Sequence, residues 1–250
     1  MRREAKVAAS GPRAGFVGAS APLAVTPAEQ LVAPARGAAA AAQPRAPGAY
    51  ARFGKRALDL TLGSLLLLLA LPLMLAVALA VLVTSGWPVL YRSERLGAGG
   101  TTFRMWKFRT MVRDADHLAE RWKETHPERA SELLTRWQIE ADPRVTALGR
   151  FLRASSLDEL PQLWHVVRGD MSLVGPRPYL PREAIAPAAR AAILAVKPGL
   201  TGPFQVCGRK SLTPTSRIEM EVAYGEAVSL RRDLALLLRT AKPLLTLDGR

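Results

Sequence analysis

An uncharged apolar run over residues 60–83 constrains the fold of this chain more than any other feature of its sequence. Only Thr61, Gly63 and Ser64 interrupt it mildly, and it contains one proline, Pro72. A helix rises about 1.5 Å per residue, so this run is long enough to cover the ~30 Å hydrocarbon core of a bilayer. The sequence therefore predicts a membrane helix, and an ordinary spanning helix is one interpretation of it.

Two features favour a re-entrant helix that breaks at Pro72 and returns to the same face of the membrane. Proline lacks the N–H that would bond to the carbonyl of Leu68, and its ring kinks a helix. Both flanks of the run are also basic, and lysine and arginine prefer the cytoplasmic side at each end. These flanking residues are Arg52, Lys55 and Arg56 before the run, and Arg92, Arg95, Arg104, Lys107 and Arg109 after it.

The rest of the chain predicts a helix-rich α+β fold in three parts. Residues 1–50 are rich in Ala, Pro and Gly and predict a disordered tail. Residues 51–86 form the re-entrant segment, and residues 87–250 form a cytoplasmic domain. In that domain, two β-rich runs around the glycine turn 97–100 predict a hairpin, and residues 114–140 predict amphipathic helices. A final helix at about residues 228–240 either packs on the core or lies in the headgroup region.

The formal net charge of +14 indicates an anionic partner, which is nucleic acid, an anionic membrane or a phosphorylated substrate. No nucleic-acid motif or aromatic stacking platform accompanies the charge, so we do not expect nucleic acid. The chain has one cysteine, which excludes an internal disulfide, and three scattered histidines, which do not resemble a zinc site. A hard cation such as Mg²⁺ is the metal that we expect.

Two adjacent acids, Asp158 and Glu159, stand out in this basic chain. Ser156 and Glu159 have the spacing of a capping box, which would account for both acids at the start of a helix. The capping box does not account for the surrounding arginines, which are Arg150, Arg153 and the Arg177 of a Gly-Pro-Arg-Pro turn. Guanidinium groups suit phosphate, a carboxylate can attack phosphorus, and a second carboxylate can hold Mg²⁺. The pattern therefore favours phosphoryl-transfer chemistry.

Five stretches together resemble the bacterial sugar transferases, also called monotopic or small polyprenyl phosphoglycosyl transferases. They are "KRALDL" from residue 55, "FRMWKFRTM" from 103, "DPRVTALGRFLRASSLDELPQLWHVVRGDMSLVGPRP" from 142, "KPGLTGPFQVCGR" from 197 and "YGEAVSLRRDLALLLRTAKPLL" from 224. They follow the family order and cover most of residues 55–245.

The resemblance implies transfer of a sugar phosphate from a UDP-sugar to undecaprenyl phosphate with release of UMP, which is the first membrane step of exopolysaccharide, O-antigen, capsule or glycoprotein glycan synthesis. It places the protein at the bacterial inner membrane, with its catalytic domain on the cytoplasmic face. Asp158 would be the nucleophile that forms a covalent phosphosugar intermediate, and Glu159 would bind Mg²⁺. Pro72 matches the central proline of the family's re-entrant helix. The implied phosphate- and substrate-binding residues are Lys107, Arg109, Arg153, Arg177, Gln205 and Arg209.

The chain departs from the usual family pattern at four positions, Trp87, Ser93, His165 and Cys207, which bear on substrate details. Two other functions stay open. One is a metal-dependent glycosyltransferase that uses Asp114-Ala115-Asp116 as a D-x-D ligand pair and leaves UDP. The other is a membrane-anchored basic adaptor. The sequence identifies neither the sugar, the glycan pathway nor the oligomeric state.

Overall fold

The computed structural model describes residues 48–125, 142–207 and 213–246. Nearly all of the predicted disordered tail, the second part of the predicted amphipathic segment, and Arg209 lie outside the described residues. The elements are α1 (Lys55–Ser85), β1 (Leu90–Leu96), β2 (Thr102–Phe108), α2 (Ala115–Thr125), α3 (Ala147–Ser155), α4 (Gln162–Arg168), β3 (Ser172–Val174), α5 (Pro187–Leu194), β4 (Gly199–Thr201), α6 (Pro203–Val206), α7 (Pro214–Glu226) and α8 (Leu230–Thr246). The predicted helix-rich α+β class is confirmed.

Helix α1 follows a π-helical turn, Tyr50–Gly54, and together they form an unbroken helical segment of 36 residues. It is long and apolar enough to cross a membrane, and only 11% of its most apolar window is buried. Residues on both sides of Pro72 are helical, so the expected break of the helix at this residue is not found. The fixed φ of proline is compatible with a helix, and its cost is the lost bond to Leu68 and a ring clash. A change of direction at Pro72 stays a prediction.

One face of α1 packs on the rest of the protein along its whole length. In the first half, Leu67 and Ala70 contact the core around Met105 and Leu163. In the second half, Val77 and Val81 are buried in a second cluster. The opposite face is exposed and almost entirely leucine, at Leu65, Leu68, Leu69, Leu75, Leu79 and Leu82. Helix α1 therefore has one protein-facing side and one side suited to an apolar environment.

The first turn of α1 carries two buried charges, Lys55 and Asp59. Lys55 Nζ lies 2.7 Å from Asp233 Oδ2 on α8 and donates to the Val174 carbonyl at 2.8 Å. Asp59 Oδ1 accepts hydrogen bonds from Ser172 Oγ and from the Leu173 backbone, both at 2.9 Å. Buried charges persist only when they are paired and hydrogen-bonded, and these contacts fix α1 to β3 and α8.

Two small sheets complete the architecture. Strands β1 and β2 form the predicted antiparallel hairpin, with Leu90 opposite Phe108 and Leu96 opposite Thr102. Its turn contains Gly99 at φ +68°, in the left-handed region that glycine favours. Strands β3 and β4 pair in parallel, and the sequence predicted neither of them. Helix α8 packs on the core through Leu236 and exposes Leu238, so core packing is confirmed for one of its faces.

His165, one of the departures from the family pattern, is fully buried on α4. Its Nε2 accepts the backbone N–H of Trp106 at 3.2 Å, so Nδ1 carries the proton and donates to Asp170 Oδ2 at 2.7 Å. The imidazole lies 5.4 Å from the ring centroids of both Phe103 and Trp106. Burial lowers the pKa of His165, with Asp170 opposing that shift. The side chain therefore joins α4 to β2 in its neutral form.

We expect the stability of the protein to fall as the pH is lowered from 7 to 5, and we expect His165 to cause part of that loss. The unfolded chain takes up a proton on this residue at about pH 6.5, whereas the buried neutral imidazole resists it. Below that pH the unfolded state therefore binds more protons and becomes favoured. Thermal unfolding of the protein in nanodiscs between pH 5 and 7.5 measures the effect.

The variant His165→Asn is the matched control, because its amide oxygen can still accept the Trp106 N–H but does not titrate. We expect a shallower pH dependence for this variant. We expect His165→Ala to lose about 1–3 kcal/mol at pH 7.5, since it leaves that N–H without an acceptor. An unchanged pH slope in His165→Asn would show that another group titrates.

Candidate active site

The acid pair lies on a single tight turn between α3 and α4. Ser156 ends α3 in the left-handed region, at φ 58°, and the 3₁₀ turn Leu157–Glu159 follows it. The predicted capping box is wrong, because the Ser156 side chain makes no capping hydrogen bond. The preceding helix, α3, does have a side-chain cap, since Thr146 Oγ1 accepts the Gly149 N–H at 2.9 Å. The turn directs Asp158 inward and Glu159 towards β2.

Helix α1 forms the floor of this turn. Leu157 and Leu160, which flank the two acids, pack against the cluster that contains Val77 and Val81 of α1. Burial of these apolar side chains fixes the turn against the second half of α1. The position of the acid pair therefore depends directly on α1.

Asp158 and Glu159 have different environments. Glu159 is partly exposed, and its Oε1 lies 2.8 Å from Lys107 Nζ on β2. Asp158 is only 8% exposed. Burial raises the pKa of Asp158 to about 6, with Glu159 adding to the increase and Lys107 and Arg153 opposing it. The carboxylate is therefore ionised at neutral pH, yet it is poorly solvated and more basic than an exposed aspartate.

Arg153 is oriented by the segment that follows β2. Its Nε donates to Thr110 Oγ1 at 2.9 Å, and its charge reaches Asp158. Helix α3 approaches this segment so closely that a Cβ on Gly149 would lie 2.0 Å from the Thr110 carbonyl oxygen. Glycine at this position is what allows Arg153 and the acid turn to share one site.

Arg109, for which the resemblance implies phosphate binding, does not contact the two acids, and that role stays a prediction. Arg109 is buried at the C-terminal end of α1, where its Nη2 donates to the carbonyls of Ser85 and Gly86, the latter at 2.7 Å. Free carbonyls at a helix C-terminus attract cations, so this contact caps α1. In this structure Arg109 holds the end of the membrane helix, whereas Lys107 and Arg153 lie with the acids.

The Gly-Pro-Arg-Pro turn is held between β4 and α7. Gly175 N donates to the Thr201 carbonyl at 2.9 Å, and Gly199 N donates to the Pro176 carbonyl at 2.8 Å. Arg177 N donates to the buried Glu221 Oε1 at 3.3 Å. Burial lowers the pKa of Arg177, and the charges of Arg217 and Arg95 add to that shift. Arg177 therefore belongs to a group of arginines.

Sequence reasoning did not assign Arg95 and Arg217 to the site. The hairpin register could have indicated Arg95, because alternation puts it on the same strand face as Lys107. Nothing in the sequence points to Arg217. Gln205 lies on α6, and its buried Oε1 has no hydrogen-bond partner in the described part of the chain.

The donor set of the acid turn fits Mg²⁺. This ion is commonly held by one or two carboxylates together with substrate phosphates and water. Asp158 and Glu159 supply two carboxylates on one turn. Within the described ranges, no three His, Cys, Asp or Glu side chains come together as a closed metal site would require. A cation here would therefore share its coordination with a phosphorylated substrate.

Comparison with known proteins places this site in a family. The profile described as "Bacterial sugar transferase" matches residues 50–246, which includes nearly all of the described chain. The undecaprenyl-phosphate galactose phosphotransferase of Salmonella typhimurium is 38% identical over 199 residues, which cover 79% of this chain and 42% of that protein.

Two relatives are closer to this chain in length. The UDP-glucose:undecaprenyl-phosphate glucose-1-phosphate transferase of Caulobacter vibrioides is 43% identical over 204 residues, covering 78% of this chain and 71% of that protein. The exopolysaccharide production protein ExoY of Rhizobium meliloti is 37% identical over 187 residues, covering 74% and 83% respectively. The chain thus spans about two fifths of the Salmonella relative and most of the other two. With its acid turn, its Gly-Pro-Arg-Pro turn and a family match along 50–246, the chain belongs to the bacterial sugar transferase family.

Proposed function

We propose that this protein transfers a sugar 1-phosphate from a UDP-sugar to undecaprenyl phosphate and releases UMP. The observation that carries the proposal is Asp158, a buried carboxylate on a turn shared with Glu159 and in the field of Lys107 and Arg153. Two of the relatives named above are transferases named for undecaprenyl phosphate, one with galactose and the other with glucose as the sugar.

The reaction proceeds in two displacements at one phosphorus atom. An Asp158 oxygen attacks the sugar-linked phosphorus, and the bond from this phosphorus to the bridging oxygen breaks. The bridging oxygen leaves with the electron pair as part of UMP, and a phosphosugar remains esterified to Asp158. An oxygen of undecaprenyl phosphate then attacks the same phosphorus and restores the free carboxylate. Lys107 and Arg153 stabilise the negative charge around the phosphorus during both displacements.

Glu159 would hold Mg²⁺, with Asp158 as the second carboxylate within reach. When bound, Mg²⁺ neutralises phosphate oxygens and favours departure of the nucleotide. Lys107 Nζ lies 2.8 Å from the Glu159 carboxylate, but the negative charge that would attract the ion belongs to Glu159 itself. Asp158 therefore serves as the nucleophile, and Glu159 serves as the ligand.

The protein is monotopic and lies at the cytoplasmic face of the bacterial inner membrane. One domain holds both ends of α1, through Lys55 and Arg56 at the start and through Arg109 at the end. A domain cannot lie on both sides of a bilayer, so both ends of α1 lie on the same side. The exposed leucine face then enters the lipid, and the acid turn packed on α1 lies near the headgroups, where the acceptor's phosphate is.

We expect Asp158→Asn to lower UMP release by at least about 10³-fold while the fold is retained, because the amide has the same shape but cannot attack phosphorus. The measurement is UMP formation by purified protein with Mg²⁺, undecaprenyl phosphate and a panel that includes UDP-glucose and UDP-galactose. Intact mass spectrometry without the acceptor should show wild-type protein carrying one added sugar phosphate, and no adduct on the variant.

Asp114→Asn is the matched control for this experiment. Asp114 is an exposed aspartate of the D-x-D sequence. We expect this variant to retain activity, whereas a D-x-D glycosyltransferase would lose it and would release UDP from the donor. Near-normal turnover in Asp158→Asn would refute the covalent mechanism.

We expect Glu159→Gln to raise the Mg²⁺ concentration for half-maximal UMP release by at least about tenfold, because the site loses one negative charge. Titration of Mg²⁺ at saturating donor measures this. Lys107→Met breaks the same ion pair but keeps the carboxylate, so its Mg²⁺ requirement should not rise. Equal Mg²⁺ dependence in Glu159→Gln and wild type would exclude Glu159 as the ligand.

Single cysteines at the exposed positions Arg52 and Tyr91, in a Cys207→Ser background, test the topology. We expect an impermeant maleimide to label neither of these two cysteines in intact spheroplasts and to label both after lysis. A reference cysteine at the exposed position Arg182 should show the same pattern. In Pro72→Ala, we expect a fraction of molecules to label at the two positions from opposite sides, because the apolar helix becomes straight. Opposite-side labelling in the starting protein would establish a spanning helix.

A further inference from the structure

Three arginines from separate elements surround the Gly-Pro-Arg-Pro turn. Arg177 is part of the turn, and Arg95 Nη1 on β1 donates to the Pro178 carbonyl at 3.3 Å. Arg217 on α7 places its guanidinium 5.1 Å from the ring centroid of Tyr179 and 4.7 Å from that of Phe204. We call Arg95, Arg177 and Arg217 the arginine cluster.

Two acids, Glu183 and Glu221, lie close to Arg217 of the arginine cluster but do not satisfy all of its donors. Arg217 lies 3.6 Å from Glu183 and 3.7 Å from Glu221, both of which are long contacts. Arg217 Nε and Nη2 are buried and make no hydrogen bond within the described structure. Glu221 is fully buried and already accepts from the Tyr179 hydroxyl and from Arg177 N. Arginine stays protonated even when buried, so three arginines beside two acids carry excess positive charge, and Arg217 has spare donors.

The hairpin connects the arginine cluster to the acid turn. Lys107, Phe103 and Arg95 lie on one face, because Arg95 pairs with Phe103 and side chains alternate along a strand. Lys107 at one end of this face contacts Glu159, and Arg95 at the other contacts Pro178. Four residues of β2 separate the two ends by roughly 14 Å. The charge of Glu159 nevertheless acts on Arg95, where it opposes the lowering of the Arg95 pKa by burial.

We propose that Arg95, Arg177 and Arg217 bind the nucleotide phosphate that leaves when Asp158 attacks the donor. The inference rests on the proposed function and assigns two residues, Arg95 and Arg217, to its leaving-group side. As the bond to the bridging oxygen breaks, that oxygen takes the electron pair and gains negative charge. Guanidinium groups donate hydrogen bonds to it and keep their own protons. Lys107 and Arg153 serve the phosphorus that stays on the enzyme, and the cluster serves the one that departs.

The phosphate of undecaprenyl phosphate has the same chemistry and is the other source of an anion for this cluster. The structure favours the nucleotide as the source. The acid turn packs on α1 through Leu157 and Leu160. Arg217 instead lies on α7, next to the rings of Tyr179 and Phe204. The acceptor phosphate approaches from the α1 side in the proposed topology. The two sources predict different kinetic effects.

Calorimetric titration of the full-length protein in nanodiscs with UMP and with uridine tests the proposal. We expect Arg217→Met and Arg95→Met to weaken UMP binding at least tenfold and to leave uridine binding unchanged. We expect both variants to lower kcat/KM for the UDP-sugar by at least a hundredfold, with the KM for undecaprenyl phosphate unchanged. Arg182→Met removes an exposed arginine next to Glu183 and should behave as wild type.

Arg217→Lys keeps the positive charge and should recover part of the UMP affinity, which a purely structural role would not produce. If one of the two Met variants unfolds, UMP binding by the remaining Met variant and by Arg217→Lys still tests the proposal. The proposal is overturned if the wild-type protein releases UMP but the variants bind UMP as tightly as the wild type does. It is also overturned if the variants raise only the KM for undecaprenyl phosphate. Absence of UMP release from the wild type instead refutes the proposed function itself.

Discussion

The buried ion pair between Lys55 and Asp233 is the interaction on which the arrangement of the molecule depends. Lys55 Nζ also donates to the Val174 carbonyl, immediately before the Gly-Pro-Arg-Pro turn, and Tyr224 donates to the second oxygen of Asp233. Loss of one partner from a buried pair leaves an uncompensated charge and typically costs about 3–5 kcal/mol. The start of the membrane helix, the last helix and the arginine-bearing turn are therefore fixed together at one point.

A second contact fixes the opposite end of α1 and gives the helix a role beyond anchoring. Arg109 caps the C-terminal carbonyls, and the segment between the two fixed ends packs on the acid turn through Leu157 and Leu160. An apolar helix that only anchored a domain would not need contacts along its length. Here the same helix exposes leucines on one side and supports the acid turn on the other, so in the proposed topology one element sets both the membrane position and the site geometry.

The sequence predicted those features that have a clear period or composition, and it missed those that depend on tertiary contacts. The sequence predicted the hairpin from residue alternation and the apolar helix from the length of the hydrophobic run. It predicted that Asp158 and Glu159 share one site because they are adjacent. All three are local properties of the sequence. The capping box was wrong because Ser156 takes a left-handed conformation where α3 ends. Arg109 was grouped with Lys107 through the family resemblance alone, and no local pattern shows that it lies one residue beyond β2 and contacts the end of α1. Strands β3 and β4 are three residues long and give no detectable period.

Charge balance explains why a strongly basic chain holds two adjacent carboxylates. A carboxylate nucleophile must approach a diphosphate that is itself negative, and in a buried site this repulsion is large. Lys107 and Arg153 offset it at the acid turn, where both oppose the rise in the pKa of Asp158. In the proposed transfer, the arginine cluster would offset it at the far side, where the nucleotide gains charge as it departs. The net charge of +14 is thus in part a catalytic requirement, because each step of the proposed transfer brings anions together and needs fixed cations around them.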